Sequence, residues 1–351
     1  MADEYRDPRL HELSGASVLV TGGGGLVGSR IVAQLAACGA TPIVLDRFDA
    51  YPHPVRDLFQ VDRHSAQVLL GDVRERATVK WLTGRADYVI HAAAYADVAA
   101  CTRRPDIAFA ANVHGTQTVL DAVAASTVKR LVFVSSASVY GNGTPAEDGA
   151  ARFTENQPLT PISVYANTKL WGEHQVRLML GGSDTEYSIV RYFSVYGDPQ
   201  IPKPGSHSWM VPWLALSAHT NRPMRLNGGG HQVRDMIHVE DIAHATILAL
   251  VIDQAAGQTI NIGTGIPTPV RRIAELIAAH YPGAAFVETP MPEGDPRGGC
   301  ADTRRSTDLL GWHPAITLTE GIDRYVHWLS TTPDAVPDWF TTPITAAISA
   351  A

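Results

Sequence analysis

Residues 17–28 read Ser17-Val18-Leu19-Val20-Thr21-Gly22-Gly23-Gly24-Gly25-Leu26-Val27-Gly28. A short apolar strand runs directly into a glycine loop. From Leu26 to Cys38, apolar and small residues follow at helical spacing, and Gly39 is a suitable stop. Strand, loop and helix in this order predict a dinucleotide cradle. Gly22 permits the tight turn, Gly25 lets backbone approach a pyrophosphate, and Gly28 lets helix pack on strand. The phosphates then face the N–H groups of the helix start at Leu26 and Val27, where the helix dipole favours anions. A flexible glycine turn is the plain alternative. The flanking strand and helix, and the acid Asp46 at the end of the next apolar run, argue against it.

Outward from the loop, Thr41–Asp46, Val68–Leu70, Tyr88–His91 and Leu131–Ser135 are further apolar runs separated by helical stretches. This alternation predicts an α/β fold: a doubly wound parallel sheet covered on both faces. After about residue 180 the pattern loosens, and Pro and Gly cluster at 197–205, 227–230 and 290–299. The expected organisation is a cofactor domain over 16–190 and a smaller, mainly substrate-binding lobe over 191–330. Some segments of that lobe should return to the first domain, and 1–15 and 331–351 read as peripheral tails. Asp46 favours NAD, because a carboxylate accepts from a ribose 2′-hydroxyl and repels a 2′-phosphate. Arg47 beside it leaves NADP open. Asp72 and Val73, after the third strand, are placed to touch adenine, although Asp72 is equally a helix N-cap.

Composition narrows the partners. The chain has 351 residues, 45% hydrophobic, with a formal net charge of −7. No basic stripe is present, so no nucleic-acid partner is expected. Apolar runs such as Ile242–Ile252 are too short to span a bilayer. The charged N-terminus lacks the apolar segment of a secretory signal. Three scattered cysteines, Cys38, Cys101 and Cys300, argue against a disulfide framework and a zinc site, and the expected location is the cytoplasm.

Two downstream runs carry chemistry. Ser135-Ser136-Ala137-Ser138-Val139-Tyr140-Gly141 closes a strand, and Tyr165-Ala166-Asn167-Thr168-Lys169 sits on a helix. Tyr165 and Lys169 are four apart and share a face. A tyrosine with a pKa of roughly 10 needs help to act as a base. A neighbouring ammonium and the positive ring of an oxidised nicotinamide both favour the phenolate. Ser136, just past a strand end, can hydrogen-bond the reacting oxygen. Alone, the tyrosine–lysine pair would be an ordinary exposed helix pair; after the cradle and the serine it predicts proton transfer coupled to hydride transfer.

These motifs resemble the extended short-chain dehydrogenase/reductase family over about residues 16–330, and within it the nucleotide-sugar 4-epimerases. The matching runs also include Gly71-Asp72-Val73, His91-Ala92-Ala93-Ala94, Asn112-Val113-His114-Gly115-Thr116, Arg191-Tyr192-Phe193-Ser194-Val195-Tyr196-Gly197, Arg234-Asp235 and Ala301-Asp302. The resemblance implies a Rossmann domain with a C-terminal nucleotide-sugar lobe, NAD as cofactor, a UDP-sugar substrate and a homodimer. Ser136, Tyr165 and Lys169 become the catalytic set. Ala92, Ala93, Ala94 and Asn112 join the cofactor site, and Tyr192 and Phe193 back the nicotinamide. Arg234 grips the diphosphate, while Met224 and Leu226 pack on the uracil. Without the resemblance, Arg234 beside Asp235 reads as a surface ion pair, and Met224 and Leu226 as core.

Dehydratases and decarboxylases of this family, by the same resemblance, carry acids in the two positions before Val-Tyr-Gly. Here those positions are Ala137 and Ser138. Return of the hydride to the other sugar face, a 4-epimerisation, is then the expected outcome. Ser194 stands where neutral-sugar epimerases carry Asn; it reads either as a carboxylate donor or as a tolerated small residue. Lys203, Ser206, His207 and Ser208 are further candidate anion donors, with Met210 closing that stretch. Asp295 is expected at the substrate, and Arg297 is expected to supply a phosphate contact. Gly299 leaves room for a bulkier sugar. The stretch resembles UDP-glucuronate 4-epimerases of bacterial antibiotic, moenomycin-type pathways. Alternatives are a UDP-glucose or UDP-N-acetylglucosamine 4-epimerase, a UDP-glucuronate decarboxylase or 4,6-dehydratase, and a dinucleotide-responsive binding module without catalysis.

Overall fold

The computed structural model describes residues 7–51, 55–143, 150–203, 206, 209–291 and 297–341. His207, Ser208 and Asp295 lie outside the described residues. The strands Ser17–Thr21, Thr41–Asp46, Val68–Leu70, Tyr88–His91 and Arg130–Ser136 form where the apolar runs predict them, joined by Glu186–Tyr192 and Thr259–Ile262. From one edge the sheet runs Val68–Leu70, Thr41–Asp46, Ser17–Thr21, Tyr88–His91, Arg130–Ser136, Glu186–Tyr192, Thr259–Ile262, all parallel. The chain winds outward from Ser17–Thr21, then returns to its other side with Tyr88–His91. That reversal opens a crevice at the carboxyl ends of the central strands, the place where open α/β sheets bind ligands.

Side chains alternate faces along each strand. Val18 and Val20 pack with Ile31 and Leu35 of the helix Leu26–Ala37 and with Ile242 and Leu248 of the helix Val239–Val251. Leu19 and Leu131 face the other way, into a core holding Val79, Leu120 and Val176 from the helices Arg76–Thr83, Gly115–Ala124 and Val164–Leu180. Covering both faces is what lets the central strands be apolar throughout. The returning segments are the helix Val239–Val251 and the edge strand Thr259–Ile262. A second core, around Leu214, Ile273, Ile277, Ile322 and Tyr325, belongs to the helices Met210–His219, Val270–Ala278 and Leu318–Thr331.

Both ends are more integrated than the tail reading implies. Pro8–Leu13 is a 3-10 helix that inserts Leu10 and Leu13 into the first core. Phe340 is buried in the second core against Trp213. Each segment contributes too few apolar residues to show a periodicity, which is why they read as tails.

Candidate active site

The glycine loop closes as its spacing requires. Gly22 has φ +76°, and a Cβ there would stand 2.7 Å from the Ala93 amide nitrogen. A Cβ on Gly28 would lie 2.1 Å from the Gly22 carbonyl oxygen. The loop therefore folds against its own helix and against the Ala92–Ala93 backbone. Gly25 caps the helix Leu26–Ala37 without a side-chain hydrogen bond, so the first-turn N–H groups at Leu26 and Val27 are available to an anion. This cradle, which any side chain would fill, fits a dinucleotide diphosphate.

Asp46 is pinned beside it. Its carboxylate accepts from the Gly24 amide at 2.9 Å and the Phe48 amide at 2.7 Å. Burial pushes this carboxyl up and the backbone donors oppose it. Arg47 pairs with Asp49, and with Asp72 at 3.4 Å. Asp72 does not cap a helix; it accepts from the Arg74 amide at 2.9 Å and pairs with the Arg74 guanidinium at 2.7 Å. Two carboxylates on Arg47 leave little for a 2′-phosphate, which agrees with NAD. Val73 is buried under Gly115. A cleft of about 260 Å³ opens alongside, lined by Arg47, Arg74, Asp106, Ile107, Ala110 and Ala111.

Asn112 has a different place from the one expected. It is buried in a π-helical turn, Phe109–His114. Its Oδ1 accepts from the Tyr95 amide at 2.7 Å, and its Nδ2 donates to Thr168 Oγ1 at 3.0 Å and to the Tyr95 carbonyl. With both ends occupied, it ties the loop after His91 to the tyrosine–lysine helix rather than offering itself to a ligand.

Ser136, Tyr165 and Lys169 converge at the crevice. Ser163 starts their helix by accepting from the Ala166 amide. Ser136 acts on the Tyr165 phenol, favouring its ionised form. Ser138 Oγ donates to Ser136 Oγ at 2.9 Å, and the Ser138 amide donates to the same oxygen at 3.2 Å. Lys169 is buried, with Nζ donating to the Val134 carbonyl at 2.8 Å. Its ammonium is 5.9 Å from the Tyr165 ring centroid. Burial pushes Lys169 down to about 8, and it pushes the Tyr165 phenol up, against the lowering by Ser136. In the protein alone, desolvation of the phenolate outweighs the lowering by Ser136. Tyr192 turns its hydroxyl to Thr246 Oγ1 at 2.6 Å, and Phe193 lies 6.2 Å from Phe153.

On the substrate side the outcome is mixed. Met224 and Leu226 occupy alternate positions of the strand Met224–Asn227, so both point into the second core and are fully buried. They cannot form the uracil face; the core reading is right for them. Met210 opens the helix Met210–His219, half-buried on the same core. Arg234 and Arg297 are brought together: the Val233 amide donates to the Arg297 carbonyl at 3.0 Å, and the Arg297 amide donates to Asn142 Oδ1 at 3.1 Å. Ser194 is half-buried, and among the described residues no partner takes its hydroxyl. Ser206 is buried, its amide donating to the Lys203 carbonyl. The Lys203 ammonium lies between the Tyr51 and Trp209 rings, 4.8 Å and 5.3 Å from their centroids.

Gly299 corrects a second expectation. A Cβ there would stand 2.3 Å from the Ala151 carbonyl oxygen and 2.7 Å from the Phe153 ring. The glycine is needed by the pairing of Gly299–Ala301 with Ala151–Phe153, so it does not open a sugar pocket. Gly299→Ala should therefore lower stability by about 1–3 kcal/mol, as overpacking does, with sugar preference unchanged. Urea unfolding and competition between two UDP-sugars check this; a changed preference at unchanged stability contradicts it.

Ser138 as partner of Ser136, and Glu173, fully buried and paired with Arg191 at 2.6 Å, were not read from sequence. The signal for Glu173 is its spacing, one turn past Lys169. Among the described residues no group of three or more His, Cys, Asp or Glu could hold a metal, and no helix is long and apolar enough to cross a membrane.

The profile of the NAD dependent epimerase/dehydratase family matches residues 18–263. The chain belongs to this family. A putative UDP-glucose 4-epimerase of Methanocaldococcus jannaschii is 30% identical over 89% of this chain and 98% of that one. The UDP-glucose 4-epimerase of Thermotoga maritima, solved with UDP-glucose, superposes with a TM-score of 0.81 at 26% identity, covering 90% and 98% of the two chains. MoeE5, solved with UDP-glucuronic acid and NAD, gives 0.77 at 27% identity over 90% and 99%. The same protein has been solved with UDP-glucose and NAD. The family is NAD dependent, and the chain's relatives include nucleotide-sugar 4-epimerases as well as a dTDP-glucose 4,6-dehydratase of Streptomyces griseus.

Proposed function

We propose that this enzyme interconverts UDP-glucuronate and UDP-galacturonate by 4-epimerisation, without decarboxylation. The observation that carries the reading is a site with hydroxyls where acids would stand. Ala137 offers no acid, and Ser138 is spent on Ser136. Ser194 leaves a hydroxyl free of protein partners among the described residues, suited to a sugar carboxylate. MoeE5, similar over most of the chain, binds UDP-glucuronic acid.

NAD, when bound, supplies the hydride acceptor at C4, a positive ring near the phenol, and the hydride that returns. Tyr165 takes the C4 hydroxyl proton, and Ser136 holds that oxygen. Lys169, fixed on Val134, keeps a positive charge on the same helix face. Arg234 and Arg297 hold the substrate diphosphate. The 4-keto sugar is a β-keto acid, which loses CO₂ readily when the breaking C–C bond stands perpendicular to the ketone plane. Neutral donors such as Ser194 bind the carboxylate in the plane and have no carboxylic proton to deliver.

A hydrogen bond to a charged group contributes roughly 1.5–3 kcal/mol. Ser194→Ala should therefore raise the Michaelis constant for UDP-glucuronate by about tenfold or more, and that for UDP-glucose little. Product analysis by NMR, with native turnover of each UDP-sugar measured alongside, tests the reading. Equal effects on both sugars remove Ser194 from carboxylate recognition. Faster native turnover of UDP-glucose or UDP-N-acetylglucosamine replaces the substrate and leaves the epimerase chemistry.

A further inference from the structure

Gln232 carries an amide that the protein leaves unused. The residue is 8% exposed. Its side-chain oxygen is buried without a hydrogen-bond partner, and among the described residues its side-chain nitrogen has none either. A buried polar group in this state is destabilising, so it calls for a partner from outside the fold. The backbone around it is fixed on every side. The strand Val233–Arg234 pairs antiparallel with Thr268–Pro269, and the Val270 amide donates to the Gln232 carbonyl at 3.0 Å, which extends the ladder by one residue. On the opposite edge the Val233 amide donates to the Arg297 carbonyl at 3.0 Å. Before the strand, Arg271 Nε donates to the Gly229 carbonyl at 3.0 Å. After it, Asp235 is 1% exposed, and its carboxylate accepts from the Thr264 amide at 2.8 Å, the Thr264 hydroxyl at 2.6 Å, and the Gly265 and Ala301 amides at 2.9 Å each.

The strand says what that partner is. Alternate side chains of an extended strand share a face. Gln232 and Arg234 therefore stand on one face, about 7 Å apart along the strand, with Val233 on the other. With Arg234 on the substrate diphosphate, as proposed above, Gln232 lies a ribose away, where the base of the nucleotide falls. Met224 and Leu226 are committed to the second core, so the base has no other contact assigned. An amide with an unused N–H and an unused C=O matches the imide edge of uracil, whose N3–H donates and whose neighbouring carbonyl accepts. We infer that Gln232 reads the uracil of the substrate through these two hydrogen bonds. The inference rests on the reading of Arg234 as the diphosphate contact. Thymine presents the same edge, so Gln232 selects imide bases and leaves the choice of sugar to other residues. A strand held at both edges and both ends keeps the amide in place before the nucleotide arrives, which lowers the ordering cost of binding.

The test pairs binding with stability. UDP, N3-methyl-UDP and 2′-deoxy-UDP are titrated into the NAD-loaded parent enzyme, Gln232→Leu and Arg234→Met, and urea unfolding is followed without nucleotide. Gln232→Leu should weaken UDP and 2′-deoxy-UDP by about tenfold, the loss of two neutral hydrogen bonds. The parent should bind N3-methyl-UDP about tenfold more weakly than UDP, and Gln232→Leu should not distinguish the two. Unfolding of Gln232→Leu should come at equal or higher urea, because an unpaired buried amide has been removed. A residue kept only for packing would lose stability instead. If Leu at 232 prevents folding, Gln232→Met takes its place in the same comparison. Unchanged UDP affinity in Gln232→Leu, with a loss in Arg234→Met, overturns the inference and keeps the diphosphate reading; unchanged affinity in both variants overturns the two together. A loss that vanishes with 2′-deoxy-UDP moves Gln232 to the ribose and overturns the uracil contact. Lower stability with equal losses for UDP and N3-methyl-UDP overturns it as well, and leaves Gln232 a packing residue.

Discussion

Tyr165→Phe is expected to leave a folded, NAD-loaded protein whose turnover falls by about 10²- to 10⁴-fold, the usual contribution of a positioned general base. The fold should tolerate the change because nothing structural hangs on the phenol oxygen. Its partner Ser136 keeps the Ser138 hydroxyl and amide, and Lys169 is held by the Val134 carbonyl. The catalytic loss should be large because burial alone holds this phenol protonated. The protein spends packing on keeping the group dry, and its ionisation waits for positive charge at the nicotinamide. A phenylalanine keeps that dry pocket and removes the proton acceptor. Turnover by NMR, with cofactor content from absorbance of the denatured protein, separates the two effects. Near-normal turnover would move the base elsewhere; lost NAD would mean that the phenol holds the cofactor.

How much of this was legible in the sequence depends on what kind of constraint each residue obeys. The cradle was readable because glycine spacing there is geometry: any Cβ at Gly22 or Gly28 collides with backbone. The sheet was readable because its strands are apolar over whole runs. Met224 and Leu226 share a face by period two, but alternation does not say whether that face meets a ligand or three helices. Gly299 read as empty space, because a missing side chain looks the same whether the gap is open or filled by Phe153. Lys203 reads in sequence as a candidate anion donor, and its place between the Tyr51 and Trp209 rings depends on loop packing that the sequence does not show. Tyr165 and Lys169 were legible as a pair, while the desolvation that sets the phenol's acidity is a property of the surrounding fold.

Arg191 illustrates the same limit and carries the second large effect. Its motif position suggested only a family signature, yet it is 1% exposed and meets Glu173, which is 0% exposed. Nε donates to Glu173 Oε1 at 2.8 Å and Nη2 to Oε2 at 2.6 Å. Nη1 donates to the Tyr140 hydroxyl at 2.8 Å, and the Tyr140 hydroxyl donates to Asn261 Oδ1 at 2.6 Å. Ser135 Oγ also donates to Glu173, at 2.6 Å. The pair thus joins the catalytic helix, the strand that ends at Ser136, and the turn at Tyr140. Burial pushes the Glu173 carboxyl up, but the hydrogen bonds and charge of Arg191 outweigh it and hold it below the ordinary glutamate value. A depressed carboxylate adds stability above its unfolded pKa, and that stability is lost as pH falls through the folded value. Arg191→Met leaves the buried Glu173 carboxylate with only the part-exposed Arg177, at 3.1 Å, for a cation, and removing one partner of such a pair typically costs about 3–5 kcal/mol. The variant should unfold at lower urea at neutral pH. Its deficit should shrink on acidification, because the stranded Glu173 can then take a proton while the parent loses its ion pair. Arg191→Met combined with Glu173→Leu should recover much of the stability, since no buried charge remains. Catalysis in that double variant should stay low, because Ser135 and Tyr140 lose the partners that set the Ser136 turn. Equal stability of the single and double variants would show that the pair's strength lies in packing rather than in charge.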